Sequence, residues 1–350
     1  MSDDPTKERT MRAAVFYGAK EGLRVEEVPT PSIGGEDALI KVAACGVCHT
    51  DLHYLDHGVP TAKVPPLILG HEISGTVAQV GPQADPALLG RKVILPAVLT
   101  CGSCDPCRSG RENICARMRM FGNHIDGGYA QFVRSSSRDL LLLPPGIPLI
   151  EGAIIADAMS TPFHAVTNRA QVRPGELVVV IGVGGVGCNA VQFAAAAGGT
   201  VVAVDLQPRR RELALTLGAS FAIDPAAVAD LGKEVTRLAG TRADVALEVV
   251  GKPATFEMAV RAVRPGGRVC MVGYSAENAS LPLNKVMFQE LEIVGSLGAR
   301  PVDYPKIFRL VQQGKVSVER VVTDRFPLEQ VAAAFDHLRG NQGLRSVIVP

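Results

Sequence analysis

Cys101, Cys104, Cys107 and Cys115 follow one another as C-x2-C-x2-C-x7-C. Four thiolates at that spacing can close a tetrahedron around one zinc ion, which leaves no position for a substrate. A lobe of this kind, residues 98–118, is structural, so any chemistry must lie elsewhere in the chain. Disulfides are the competing reading. The opening MSDDPTKERT is polar and charged and lacks an apolar signal core, which points to a reducing compartment and argues against them.

A second set of metal-binding residue types lies upstream. Cys45-Gly-Val-Cys48-His49-Thr50-Asp51-Leu-His53 is followed by Gly70-His71-Glu72. Cys48 and His71 offer the sulfur and nitrogen donors that suit zinc. A catalytic zinc needs a third protein ligand and keeps one position open. No third cysteine lies near the point where the chain changes character, but Asp157 does, shortly before Thr161-Pro162. A Cys48 thiolate and an Asp157 carboxylate together would offset the charge of Zn²⁺. Two alternatives stay open: Asp157 as the cap of a helix over 160–168, and Glu72 as the third ligand. His57, His124 and His337 are given no role.

The third element is Gly182-Val183-Gly184-Gly185-Val186-Gly187, a G-x-G-x-x-G turn directly after the apolar run Leu177–Ile181. Placed between a strand and a helix, the glycines let a pyrophosphate approach the free N–H groups of the helix. Asp205, at the end of the next strand, would bond both adenosine ribose hydroxyls and repel a 2′-phosphate, which favours NAD. Arg209 and Arg210 pull the other way, because an arginine can receive a 2′-phosphate. The cofactor set is Gly182, Gly184, Gly185, Val186, Gly187, Asp205 and Arg210, with Val272 at the end of a later strand.

These groups need two kinds of scaffold. A chain of 350 residues is long for a single core. Short apolar runs separated by Gly, Pro and Asp fill residues 11–150, the pattern of an antiparallel barrel-like domain. After Pro174-Gly175, strands alternate with helices, which predicts a parallel sheet covered on both faces. The apolar stretch Leu177–Gly198 carries five glycines, Asn189 and Gln192, so it reads as a strand and a helix, not a membrane span. With 36 basic and 35 acidic residues there is no electrostatic footprint for nucleic acid. Cys45, Cys188 and Cys270 read as small core residues.

In their order along the chain, these motifs resemble the medium-chain zinc-dependent alcohol dehydrogenases. The resemblance runs from about Met11 to the C-terminus. It implies an α/β architecture: a chaperonin-10-like β-barrel catalytic domain (1–157 and 298–350) interrupted by a doubly wound Rossmann nucleotide-binding domain (158–297). It implies two zinc ions per chain and NAD. Cys48 and His71 match the first two catalytic zinc ligands, and Asp157 falls where many members carry cysteine and some carry aspartate. Thr50 matches the hydroxyl that bonds the substrate alcohol, His53 the histidine that passes the proton to solvent, and Asp51 the carboxylate that orients the zinc histidine. Thr161 matches a nicotinamide contact and Arg345 a pyrophosphate contact.

The segments His57–Thr61, Pro65–Leu67, Pro96–Val98 and Ala156–Ala158 also resemble dehydrogenases of cyclic hydroxyacyl-CoA thioesters. The expected activity is reversible oxidation of a small alcohol, secondary or cyclic, to a carbonyl compound. The expected setting is cytoplasmic, as a homodimer or homotetramer, with no nucleic-acid or membrane partner. A zinc-free quinone or enone reductase and a non-catalytic NAD-binding protein are the rival readings. Cys48, His71 and the cysteine lobe argue against the first, and the Thr50/His53 pair against the second.

Overall fold

The structure is a computed structural model and describes residues 10–350. The polar opening, up to Arg9, lies outside the described residues. The chain divides into two compact units, residues up to Asp157 with Val318–Pro350, and Ala158–Ser317.

The first unit is built mainly of antiparallel strands. Its largest sheet runs Leu141–Leu142, Lys92–Leu95, Glu72–Val80, Asp37–Gly46, Arg345–Val349, Val322–Pro327, and Phe132–Ser136 also pairs with Asp37–Gly46. Only Val322–Pro327 and Arg345–Val349 pair in parallel within it. A smaller sheet joins Leu23–Pro29, Thr10–Phe16 and Leu67–Ile68. The core draws on Ala13, Val15, Ile40, Val42, Leu69, Ile73, Val93 and Leu95, the inward positions of alternating strands. Register shifts in Asp37–Gly46 at Leu39/Ile40 and Val42/Ala44 bend this strand where it leads into Cys48. The pair Val98–Leu99 and Arg119–Met120 closes the base of the cysteine lobe.

The second unit holds six strands, all parallel, in the order Phe221–Ile223, Thr200–Val204, Leu177–Ile181, Ala243–Glu248, Val263–Met271, Glu292–Gly295. Numbered along the chain within this unit, that is 3-2-1-4-5-6, the doubly wound order whose ligand crevice opens beside the first strand. Every residue of Leu177–Ile181 is buried, as a central parallel strand with two covered faces requires. The helix Gly187–Ala196 follows the glycine turn. No helix among the described residues is long and apolar enough to cross a membrane.

One boundary differs from the sequence reading. Residues 298–317, with the helix Tyr304–Gln312, group with the second unit, and the chain rejoins the first at Val318. Buried Asp303 explains the anchoring, because it accepts hydrogen bonds from Asn168 and from Arg300, all within the second unit.

Candidate metal centres and cofactor cradle

The four lobe cysteines converge. Sγ–Sγ distances are 3.4 Å for Cys104–Cys107, 3.7 Å for Cys104–Cys115 and 4.0 Å for Cys101–Cys107. A tetrahedron of zinc–sulfur bonds sets such separations at about 3.8 Å, whereas a disulfide would need about 2.05 Å. All eight cysteines are free. Backbone N–H groups point at the sulfurs: Ser103 and Cys104 donate to Cys101, and Cys101 and Arg117 donate to Cys115. Those donors favour thiolates, and the Ser103 amide foremost brings the Cys101 thiol down to about 5. The donor set fits zinc.

The second cluster gathers Cys48, His71, Glu72 and Asp157, with one donor atom from each lying within 4.8 Å of the others. Cys48 sits at the N-cap of the helix His49–Asp56, directly after the bent strand. His71 follows Gly70, whose φ of +93° turns the chain in a way that only glycine takes easily. His71 Nε2 lies 3.5 Å from Asp157 Oδ2, a spacing that suits two donors on one ion. Burial pushes the Cys48 thiol up, but the Arg345 guanidinium and His71 outweigh it and bring it down to about 7. A thiolate is therefore available to a metal near neutral pH. Asp157 ends the turn Glu151–Ala156, and Met159, not Asp157, holds the N-cap of the helix Ser160–His164.

Glu72 differs from the other three in having an arginine partner. Its two carboxylate oxygens accept from Arg345, one from Nε at 3.0 Å and the other from Nη2. Both side chains are buried. Gly46 makes the room, since a Cβ there would stand 1.9 Å from Glu72 Oε2. Glu72, the alternate ligand of the sequence reading, stays within reach of the metal-binding group and is paired with an arginine, and Arg345, read as a pyrophosphate contact, makes that pair within its own unit. The pairing spans 273 positions, so no local pattern announces it.

Around the cluster, Thr50 Oγ1 lies 3.6 Å from Cys48 Sγ, which puts the hydroxyl beside the metal donors. His53, one turn further along the same helix, is partly buried, and its ring centroid lies 5.5 Å from that of His57. Burial and then His57 lower its pKa from the ordinary histidine value, so the ring is a neutral base at neutral pH. Asp51 is fully buried, with Oδ1 3.6 Å from His71 Nδ1. Sequence reasoning missed Tyr129, whose hydroxyl reaches Asp51 Oδ2 at 2.8 Å. The paired glycines Gly127-Gly128 before it were the available signal for a tightly enclosed ring.

In the second unit, Gly182 and Gly187 fit the cradle reading. A Cβ on Gly187 would stand 1.7 Å from Gly182 O, and Gly182 has φ of +88°. At Gly184 the nearest atom to such a Cβ is Arg210 Nη1 at 3.8 Å, which leaves that face of the turn open. Gly185 O accepts from Asn189 Nδ2, which pins the turn to its helix. Val186 is the N-cap residue of that helix. Asp205 lies just past the strand Thr200–Val204, with Oδ2 accepting from Val183 N at 2.8 Å and Oδ1 from Gln207 N at 2.9 Å. Arg210 Nη1 is 3.9 Å from Asp205 Oδ2, and Arg209 is exposed. Val272 follows the strand Val263–Met271, at the carboxyl edge of the sheet, and Thr161 lies in the helix Ser160–His164.

The place of Asp205 yields a prediction on cofactor choice. NAD⁺ should exceed NADP⁺ by about a hundredfold in kcat/KM, because a 2′-phosphate would meet a fixed carboxylate. Asp205→Ala should narrow the gap. Equal kinetics with NADP⁺ in the native protein would mean that Arg209 or Arg210 governs the site.

Two family models match the chain: an alcohol dehydrogenase GroES-like domain over residues 34–145 and a zinc-binding dehydrogenase over residues 185–313. An alcohol dehydrogenase of Geobacillus stearothermophilus is 35% identical, over 95% of this chain and 97% of its own. A sorbitol dehydrogenase of Bacillus subtilis is 33% identical, over 99% of each chain. Acetophenone reductase of Geotrichum candidum, solved in complex with NAD, superposes with a TM-score of 0.86 at 29% identity, over 99% of each chain. Full-length identity at this level, together with both converging donor sets and the 3-2-1-4-5-6 sheet, places this chain in the medium-chain zinc-dependent alcohol dehydrogenase family.

Proposed function

We propose that this protein oxidises secondary or cyclic alcohols to ketones reversibly, with NAD⁺ as hydride acceptor. The observation that carries the reading is the convergence of Cys48, His71 and Asp157 beside the Thr50 hydroxyl. Two relatives support the substrate class through their names, a sorbitol dehydrogenase and an acetophenone reductase. In this reading the first unit is catalytic and the second binds the dinucleotide.

Cys48, His71 and Asp157 would hold the catalytic zinc, and the four lobe cysteines the structural one. When bound there, zinc would supply Lewis-acid polarisation of the substrate oxygen and NAD⁺ the hydride acceptor. Asp51 keeps His71 in the tautomer that presents Nε2 to the metal. Thr50 Oγ1 accepts the hydrogen bond of the substrate hydroxyl, and as it takes that proton it gives up its own, so the hydroxyl stays neutral. His53, neutral at working pH, takes that proton on towards solvent. The protein acts in the cytoplasm as a homodimer or homotetramer. The edge strand Glu292–Gly295 and the exposed Leu283, Met287 and Phe288 support self-association.

The test is NAD⁺ reduction across primary, secondary, cyclic and CoA-linked alcohols at equal concentration. Secondary and cyclic alcohols should give kcat/KM at least about tenfold above their primary isomers, the scale on which pocket contacts discriminate. Turnover confined to primary alcohols would overturn the substrate class. Turnover confined to CoA thioesters would narrow it to the cyclic hydroxyacyl-CoA dehydrogenases.

A further inference from the structure

We propose that Tyr129 is a positioning residue for the catalytic metal, acting through Asp51 on His71. The inference rests on the reading of Cys48, His71 and Asp157 as the metal-binding set. Asp51 is fully buried, and its neighbours can be counted. Oδ1 lies 3.4 Å from Gly70 N and 3.6 Å from His71 Nδ1. Oδ2 lies 3.4 Å from Cys48 N and 2.8 Å from Tyr129 Oη. Only the phenol contact has the length of a strong, charge-assisted hydrogen bond. The other three contacts are long, so the carboxylate depends on Tyr129 for its orientation.

The hydroxyl has one proton and two acceptors in reach, since Gly46 O stands at 3.0 Å. A carboxylate is the better acceptor, and it is also the nearer one, so the proton goes to Asp51. With Oδ2 held in this way, Oδ1 faces His71 Nδ1 at 3.6 Å, a buried nitrogen with no hydrogen-bond partner among the described residues. Asp51 Oδ1 is the acceptor beside Nδ1, and donation to it on metal binding would leave the Nε2 lone pair directed towards Asp157, as a metal ligand requires.

The ring itself has no room to move. Tyr129 is fully buried and packs edge-on against Phe335 at 5.8 Å and 85°. Its backbone N donates to Leu69 O, and its backbone O accepts from Ala14 N. A Cβ on Gly70 would stand 2.9 Å from two ring carbons, so the glycine that turns the chain into His71 also admits the phenol. The hydroxyl is thus fixed by the packing of the first unit, and it passes that rigidity to the metal donor.

The test compares native protein with Tyr129→Phe, which keeps the ring and removes only the hydroxyl. Zinc release to excess chelator is followed with a colorimetric zinc indicator, alongside the thermal midpoint and the visible spectrum of the cobalt-substituted catalytic site. We expect one of the two zinc ions to leave about tenfold faster, with a shifted cobalt spectrum. Release of the lobe zinc should be unchanged, and the thermal midpoint should fall by only a few degrees, the loss of about one buried hydrogen bond. Adding Tyr129→Phe to Asp51→Asn should accelerate release no further. A native protein with two zincs whose release is unaltered by Tyr129→Phe would overturn this inference alone, as would an additive effect in the Asp51→Asn background, which would route the action through Gly46. A native protein holding only the lobe zinc would overturn the metal reading, and this inference with it.

Discussion

His71→Ala is expected to lower kcat/KM for alcohol oxidation by about a thousandfold while one zinc per chain remains. In the proposed ligand set the imidazole stands with Cys48 and Asp157, and its removal leaves two protein ligands where a catalytic zinc takes three. Lewis-acid stabilisation by a bound metal is worth several kcal/mol, and about 4 kcal/mol corresponds to the stated factor. The lobe should keep its zinc, because its four sulfurs come from a separate loop and none of their backbone donors involves His71. Parallel assays of NADH formation and zinc content check the result. Near-native activity without His71 would remove the ring from the reacting centre.

Glu72→Gln is expected to destabilise the first unit by about 3 kcal/mol, the scale for breaking one partner of a buried ion pair. Arg345 would keep its charge in a site where it is only 3% exposed and would lose its carboxylate. Gln offers one oxygen acceptor in place of two, and its amide would turn N–H groups towards the guanidinium. The effect should appear as a lower denaturant midpoint, with most of the catalytic zinc retained at low temperature. Asp157→Asn should do the opposite, releasing zinc or activity with little change in stability. Unchanged stability in Glu72→Gln combined with zinc loss would move Glu72 into the metal shell.

The contrast between these two carboxylates shows where sequence reading stops. Cys101, Cys104, Cys107 and Cys115 lie close along the chain, and their spacing constrains their geometry almost completely. The strand–glycine–helix unit at Leu177–Ala196 is similarly local, because a wholly apolar strand and a glycine turn are chemical signals that need no partner. The role of Glu72 depends on Arg345, brought alongside only when the C-terminal strand pairs with Asp37–Gly46. Tyr129 gives no signal of its own, since a tyrosine in a core and one bonded to a ligand-orienting carboxylate look alike in sequence.

The same reasoning covers the elements. Leu177–Ile181 was plain because both of its faces are buried. Val322–Pro327 alternates between half-buried and exposed positions and carries Thr, Asp and Arg, so it passes for a loop. Amphipathicity marks Tyr304–Gln312 as a helix but does not say which core receives it, and that is why the expected return to the first unit at residue 298 proved to be Val318.

The central claim is that Cys48, His71 and Asp157 hold a zinc distinct from that of the cysteine lobe. Elemental zinc analysis of the purified protein, native and Asp157→Ala, tests it most directly. The account predicts two zinc ions per native chain and one in the variant. One zinc per native chain, lost on Cys104→Ser, would contradict it.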